Sequence, residues 1–209
     1  MRSMNLAPGS TFDMVADSAG QAWDFRRAED RARARRQISK EKPYLVIGSP
    51  PCTSFSRLNV NLDHGRVDPQ ELQRRQVEGR LLLNFAAEVY RDQLARGAHF
   101  LHEHPLTATS WGEPAITALR AQPQVQEVTA HQCCFGFEAR DPSRSMELVM
   151  KPTRFMSSAP LLLKELARRC SRGHRHTQLL GGLPGRGRSG LSSGPLPRYP
   201  ARYRPAVPA

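Results

Sequence analysis

A cysteine held in a stiff loop, and a glutamate at the end of the following apolar run, are the residues of this chain best suited to chemistry. Cys52 stands in the stretch Gly48-Ser49-Pro50-Pro51-Cys52-Thr53-Ser54-Phe55-Ser56. Two successive prolines fix φ and hold the next side chain at a defined angle. A cysteine presented this way is a candidate nucleophile once its thiol ionises; the plainer alternative is a buried structural cysteine in a tight turn. Glu103 lies in Phe100-Leu101-His102-Glu103-His104-Pro105. A carboxylate beside a thiol can serve as an acid or as a hydrogen-bond partner to a bound base, while taken alone it reads equally well as a solvent-facing glutamate. His99, His102 and His104 are expected to alternate onto one face of the same strand as polar strand-end residues.

The elements that must position these residues are readable around them. Tyr44 to Gly48 is a short apolar run between Pro43 and Ser49-Pro50, as expected of a buried parallel strand. Ala98 to Glu103 is a second strand, stopping at Pro105. Between them, Asp68 is a candidate N-cap, Pro69 occupies the first helical position and Glu71 follows three residues after the cap. Leu72, Leu81, Phe85, Val89 and Leu94 supply apolar positions, and Gly97 is a natural stop. Strand, helix and strand at this spacing make a βαβ unit, which puts Cys52 and Glu103 at the same carboxyl edge of a parallel sheet. Weaker signals suggest a basic helix from about Arg26 to Ile38 capped by Asp24, a short helix over Glu113–Ala121, strands over Val125–Ala130 and Met146–Met150, and a helix over Leu161–Arg169 with Leu162, Leu163 and Leu166 inward.

The whole chain has 209 residues and 39% apolar content, enough for one globular domain. No apolar run approaches the ~20 residues that span a bilayer, and the opening residues carry no apolar signal core. Cys52, Cys133, Cys134 and Cys170 are too few and too unevenly spaced for a disulfide framework, so they read as reduced, intracellular thiols. Lys and Arg number 31 against 19 Asp and Glu, a net charge of +12, which favours a polyanionic partner. Residues 181–209 hold six Gly, six Pro and five Arg without an acidic residue, and are expected to be a disordered tail behind a domain of residues 1–180.

Pro50-Pro51-Cys52-Thr53-Ser54-Phe55-Ser56, followed by the strand-end Glu103-His104-Pro105, resembles the cytosine-C5 DNA methyltransferase family. The first segment looks like its catalytic PPCxxxS loop, and the second like its Glu-Asn-Val motif with His and Pro substituted. Gln132-Cys133-Cys134-Phe135-Gly136 and Lys151-Pro152-Thr153-Arg154-Phe155 resemble a paired block of divergent members, and similar reading frames accompany retrotransposon-type polyproteins. The resemblance implies an α/β, Rossmann-like, S-adenosylmethionine-dependent fold with a mostly parallel sheet. Cys52 would add to C6 of a flipped cytosine and Glu103 would hold the base. S-adenosylmethionine would lie against Pro50, Pro51 and Asp24, and Ser56, Arg57 and His104 would meet the nucleic acid, expected to be DNA. A nuclear location follows for a eukaryotic source.

The family's glycine-rich cofactor loop has no counterpart before Cys52, so the fold is expected to be incomplete at its N-terminus. Cys170, His174 and His176, with Cys133 or Cys134, raise a metal alternative. The C-x3-H-x-H spacing is not a standard one, and the preferred reading sets the two histidines at a helix C-terminus without a metal. The competing functional class is a catalytically dead relative that binds nucleic acid through charge alone. A thiol hydrolase is more distant, because no Cys–His pair has recognisable context.

Overall fold

The computed structural model describes residues 7, 9–15, 20, 22–56, 67–140 and 145–177. The tail expected over 181–209 and the proposed nucleic-acid residue Arg57 lie outside the described residues. Helix α1 (Ala28–Glu41) precedes strand β1 (Leu45–Gly48), helix α2 (Pro69–Ala95) and strand β2 (His99–Pro105). Helix α3 (Pro114–Arg120) and strand β3 (Gln126–His131) follow. A small pair, β4 (Glu138–Arg140) and β5 (Met146–Leu148), then leads to β6 (Pro152–Ser157) and helix α4 (Pro160–Leu166).

The βαβ unit forms as its signals predict. The Asp68 carboxylate accepts the Gln70 N–H at 3.1 Å, capping α2 with Pro69 in its first turn. At the other end Gly97 takes φ +72° and donates to the Leu94 carbonyl, closing the helix with the left-handed residue that glycine tolerates best. Leu83, Ala87 and Tyr90 recur at helical spacing and pack on Phe100 and Met156 of the sheet. Phe85 and Val89, on an adjacent face, pack against Trp23 and Ala34 and so seat α1. β1 and β2 pair in parallel, with Gly48 opposite His102.

The sheet as a whole is mixed, which corrects the expectation of a mostly parallel one. Its order is β1-β2-β6-β3, and β6 runs antiparallel to both of its neighbours. The chain leaves β3 at His131 and re-enters β6 at Pro152, opposite that same residue. With no helical crossover between them, the second strand must return in the opposite direction. β6 begins with a proline and reads Pro-Thr-Arg-Phe-Met-Ser, which is not the continuous apolar run of a central strand, although Thr153, Phe155, Met156 and Ser157 are all buried.

The central strands are covered on both faces, whereas β1, expected to be buried, is an edge strand that leaves Ile47, and Tyr44 just before it, exposed. Phe100 stacks on Tyr90 with ring centroids 4.6 Å apart on the α2 side. Leu101, Ala130 and Phe155 pack on Leu163 of α4 on the other side, where Leu162 and Leu166 also face inward. Because side chains alternate along a strand, the expected single face of three histidines does not occur. His102 and His104 lie with Tyr90 and Trp111, whereas His99 bonds Ser158 and edges against Tyr44.

The N-terminal aromatic residues brace α1. Phe12 meets Trp23 edge-on at 4.7 Å, Phe25 meets Phe85 at 4.8 Å, and Arg33 lies over the Trp23 ring at 4.1 Å. Helix α1 starts at Ala28, and its N-cap makes no side-chain bond, so Asp24 is not the cap. Instead the Asp24 carboxylate accepts from the Arg26 N–H and from its guanidinium at 2.7 and 2.8 Å. Two arginines of α1 form ion pairs: Arg35 reaches Glu88 and Asp92 on α2, and Arg33 reaches Asp30.

Candidate active site

Cys52 is placed by the exit of β1. The chain passes Ser49, Pro50 and Pro51 and turns into a short 3-10 segment, Thr53–Phe55, whose N-cap is Cys52 itself. The Cys52 backbone sits at φ −89°, ψ 0°, the bridge region common to turns and active-site residues. Its carbonyl accepts the Phe55 N–H at 3.0 Å, and its side chain is partly exposed.

Several contacts hold this loop. Phe55 is buried in the core with Leu83 and Trp111. Ser54 donates to the Arg75 carbonyl on α2 at 2.8 Å, and Thr109 donates to the Phe55 carbonyl at 3.3 Å. Gly79 of α2 allows this approach, since a Cβ there would lie 2.9 Å from the Ser54 Cβ. Gly48 is tighter still, because an added Cβ would fall 2.0 Å from the Tyr90 hydroxyl.

His104 provides the strongest restraint. It is fully buried, with Nε2 2.7 Å from the Pro50 carbonyl and Nδ1 2.6 Å from the Ser110 hydroxyl. A carbonyl only accepts, so Nε2 carries the proton and Nδ1 of the neutral ring accepts from Ser110. Burial holds this imidazole below its ordinary pKa, with the Pro50 bond acting in the opposite direction. Its expected role as a nucleic-acid contact is corrected: both ring nitrogens are engaged inside the protein. The neighbouring His102 is pushed down to about 3, chiefly by burial. It meets the Tyr90 hydroxyl through Nδ1 at 3.1 Å, and its Nε2 is buried without a partner among the described residues.

Glu103 points to the opposite face of β2 from these histidines and toward the loop. Ser49 donates to Glu103 Oε2 at 2.7 Å, and Lys151, just before β6, lies 3.9 Å from Oε1. Oε1 is buried and accepts no hydrogen bond among the described residues. Ser49 and Lys151 are thus site residues that the sequence did not single out as such. Lys151 had a signal in the Lys-Pro-Thr-Arg-Phe segment, and Ser49 had its place next to the two prolines.

The remaining expected site residues are dispersed in role. Pro51 is exposed and Pro50 partly so, and Ser56 closes the 3-10 segment through its N–H to Thr53. Asp24 is tied to Arg26, whose charge and hydrogen bonds hold the carboxyl down at about 2. A separate groove of about 580 Å³ lies over β3, lined by Arg120, Glu127, Thr129, Arg154 and Arg169, and includes neither Cys52 nor Glu103. Two of its arginines share one carboxylate, Arg120 at 2.8 Å and Arg154 at 3.4 Å from Glu127. No helix of the described residues is long and apolar enough to cross a membrane.

No protein-family model, no curated protein and no solved structure matches this chain.

Proposed function

We propose that this chain acts on cytosine in DNA, with Cys52 as the nucleophile and Glu103 as the residue that holds the base, in the manner of the cytosine-C5 methyltransferases it resembles. One observation carries the reading. The Glu103 carboxylate is oriented at 2.7 Å by Ser49, which precedes the constrained Cys52 by three residues, at the shared carboxyl edge of two parallel strands. Ligands of open α/β sheets bind at that edge.

The chemistry follows from the two groups. The Cys52 thiolate forms a bond to C6, and the electron pair of the C5–C6 double bond moves toward C5, which becomes nucleophilic. The Glu103 carboxyl, whose Oε1 accepts no hydrogen bond among the described residues, turns to meet the exocyclic amine and, protonated, serves N3 as charge develops on the ring. Transfer of the C5 proton to solvent water and departure of the thiolate restore the aromatic base. The cytosine must leave its stack, at a cost of a few kcal/mol, which phosphate contacts of a basic chain offset.

S-adenosylmethionine, when bound, supplies the methyl group. The residues expected to hold it do not by themselves complete its site: the Asp24 carboxylate is committed to Arg26 and the Pro50 carbonyl to His104. That commitment favours the second reading, a nucleic-acid-binding relative without turnover. DNA carrying 5-fluorocytosine, incubated with S-adenosylmethionine and resolved under denaturing conditions, separates the two. The proposal expects a covalent complex with the parent protein and none with Cys52→Ala. An undiminished complex in Cys52→Ala removes the assignment of the nucleophile.

A further inference from the structure

At the turn that follows β3, four side chains of metal-binding type converge. Cys133, in the 3-10 turn Gln132–Phe135, meets Cys170, His174 and His176, which follow α4. One ligand atom from each lies within 4.8 Å of every other. Helix α4 ends at Leu166, so the two histidines are not at its C-terminus as the sequence suggests; their Nε2 atoms face the Cys170 sulfur at 3.6 and 3.4 Å.

We propose that Cys133, Cys170, His174 and His176 form a structural zinc site. With Zn–S near 2.3 Å and Zn–N near 2.0–2.1 Å, a tetrahedral ion sets sulfur and nitrogen ligands about 3.6 Å apart, the spacing these pairs already have. Hydrogen bonding inside the cluster accounts for less of it. A Cys170 thiol can donate to one imidazole and accept from the other, yet the Arg172 N–H also aims at the sulfur from 3.1 Å, so three groups crowd a single sulfur atom. A thiolate bound to a metal accepts that N–H and leaves each imidazole a ligand. On binding, the two cysteines release their thiol protons to solvent, and no redox change is involved.

The backbone is arranged to present the ligands. The Cys170 N–H donates to His131 Nδ1 at 3.0 Å, fixing the start of the ligand segment against the end of β3. Arg172 takes the left-handed conformation, φ +65°, which turns the chain so that His174 and His176 come back over Cys170. Thr177 donates to the Leu148 carbonyl at 2.9 Å, fixing the segment's far end. Cys133 is buried and His174 exposed, so the cluster is anchored in the domain and reachable from solvent. Four protein ligands complete a tetrahedron and leave no position open for water, which marks the site as structural. The structure selects Cys133 over the adjacent Cys134.

The test uses the full chain, stripped of metal under reducing conditions and titrated with cobalt(II), then with zinc. The expected result is one cobalt per chain with the intense visible spectrum of tetrahedral thiolate coordination, bleached by one equivalent of zinc. Cys134→Ser keeps that spectrum. Cys170→Ser loses it, and His174→Asn, at an exposed position less exposed to folding failure, weakens cobalt affinity roughly tenfold or more. A weak octahedral spectrum in the parent chain overturns the proposal, as does a tetrahedral spectrum that survives both Cys170→Ser and His174→Asn unchanged. The readout needs no nucleic acid or methyl donor, so it stands apart from the function of Cys52.

Discussion

His104 donates from Nε2 to the Pro50 carbonyl across 2.7 Å, fastening the loop that carries Cys52 to the end of the neighbouring strand through a fully buried ring. Ser110 closes the other side of that ring at 2.6 Å. The loop's position is therefore set by β2 as well as by β1.

Replacing His104 with alanine strips a partner from the buried Ser110 hydroxyl and the part-buried Pro50 carbonyl. Each unsatisfied group costs about 1–3 kcal/mol, so a loss of about 2–6 kcal/mol is expected, read as a lower urea midpoint with an unchanged slope. His104→Ala with the parent's midpoint would show that the bond does not restrain the loop.

The same pair of histidines makes stability depend on pH in a defined direction. His102 has a folded pKa near 3, well under its ordinary 6.5, and His104 is lowered as well. Above pH 6.5 both states are neutral and the full stability is present. As pH falls below that value the unfolded chain takes up protons that the folded chain refuses, so His102 lowers stability toward pH 3 by up to about 1.4 kcal/mol per pH unit, and His104 acts in the same direction. Urea unfolding at a series of pH values measures this slope, and His102→Gln should flatten it. A stability that rose on acidification through this window would be inconsistent with neutral buried rings.

Gly48 is required by the close approach of Tyr90. A methyl group there meets the hydroxyl at 2.0 Å and the Cζ at 2.9 Å, so Gly48→Ala is expected to cost about 1–3 kcal/mol by overpacking. Combining it with Tyr90→Phe should recover part of the loss, because only the nearer clash is removed. A double-mutant cycle in urea reads this as a favourable coupling energy, and strict additivity would argue against the contact.

Glu103→Gln keeps an acceptor for Ser49, but its amide cannot transfer a proton to a ring nitrogen and has no second oxygen left to accept from the exocyclic amine. In the proposed chemistry it lowers turnover on cytosine by roughly 10²–10³-fold while leaving unfolding nearly unchanged. A variant as active as the parent would assign Glu103 to structure alone.

Much of the site's frame was legible because its signals are local. The Asp68 cap, Pro69 and Gly97 delimit α2, and the runs at Tyr44–Gly48 and Ala98–Glu103 mark its flanking strands, so the parallel pair and the approach of Glu103 to the Cys52 loop follow from spacing. What was hidden depends on pairing across the chain. β6 begins with Pro152 and is completed by neighbours from two other segments, and nothing in its composition announces a central strand. His99, His102 and His104 are separated by three and then two residues, and strand alternation divides that set between two faces. Asp24 has the residue type of a cap, but an arginine two positions on competes for it and wins. Cys133 joins Cys170 only because the turn after β3 and the segment after α4 end together in space.

The most direct measurement of the central claim is exchange of the cytosine C5 hydrogen with solvent, catalysed by the protein on DNA without a methyl donor. Addition of Cys52 at C6 renders C5 exchangeable, so the account predicts release of label from 5-tritiated cytosine by the parent chain and none by Cys52→Ala. Release that is the same in both, or absent from the folded parent chain while it binds the DNA, would contradict Cys52 as a nucleophile toward cytosine.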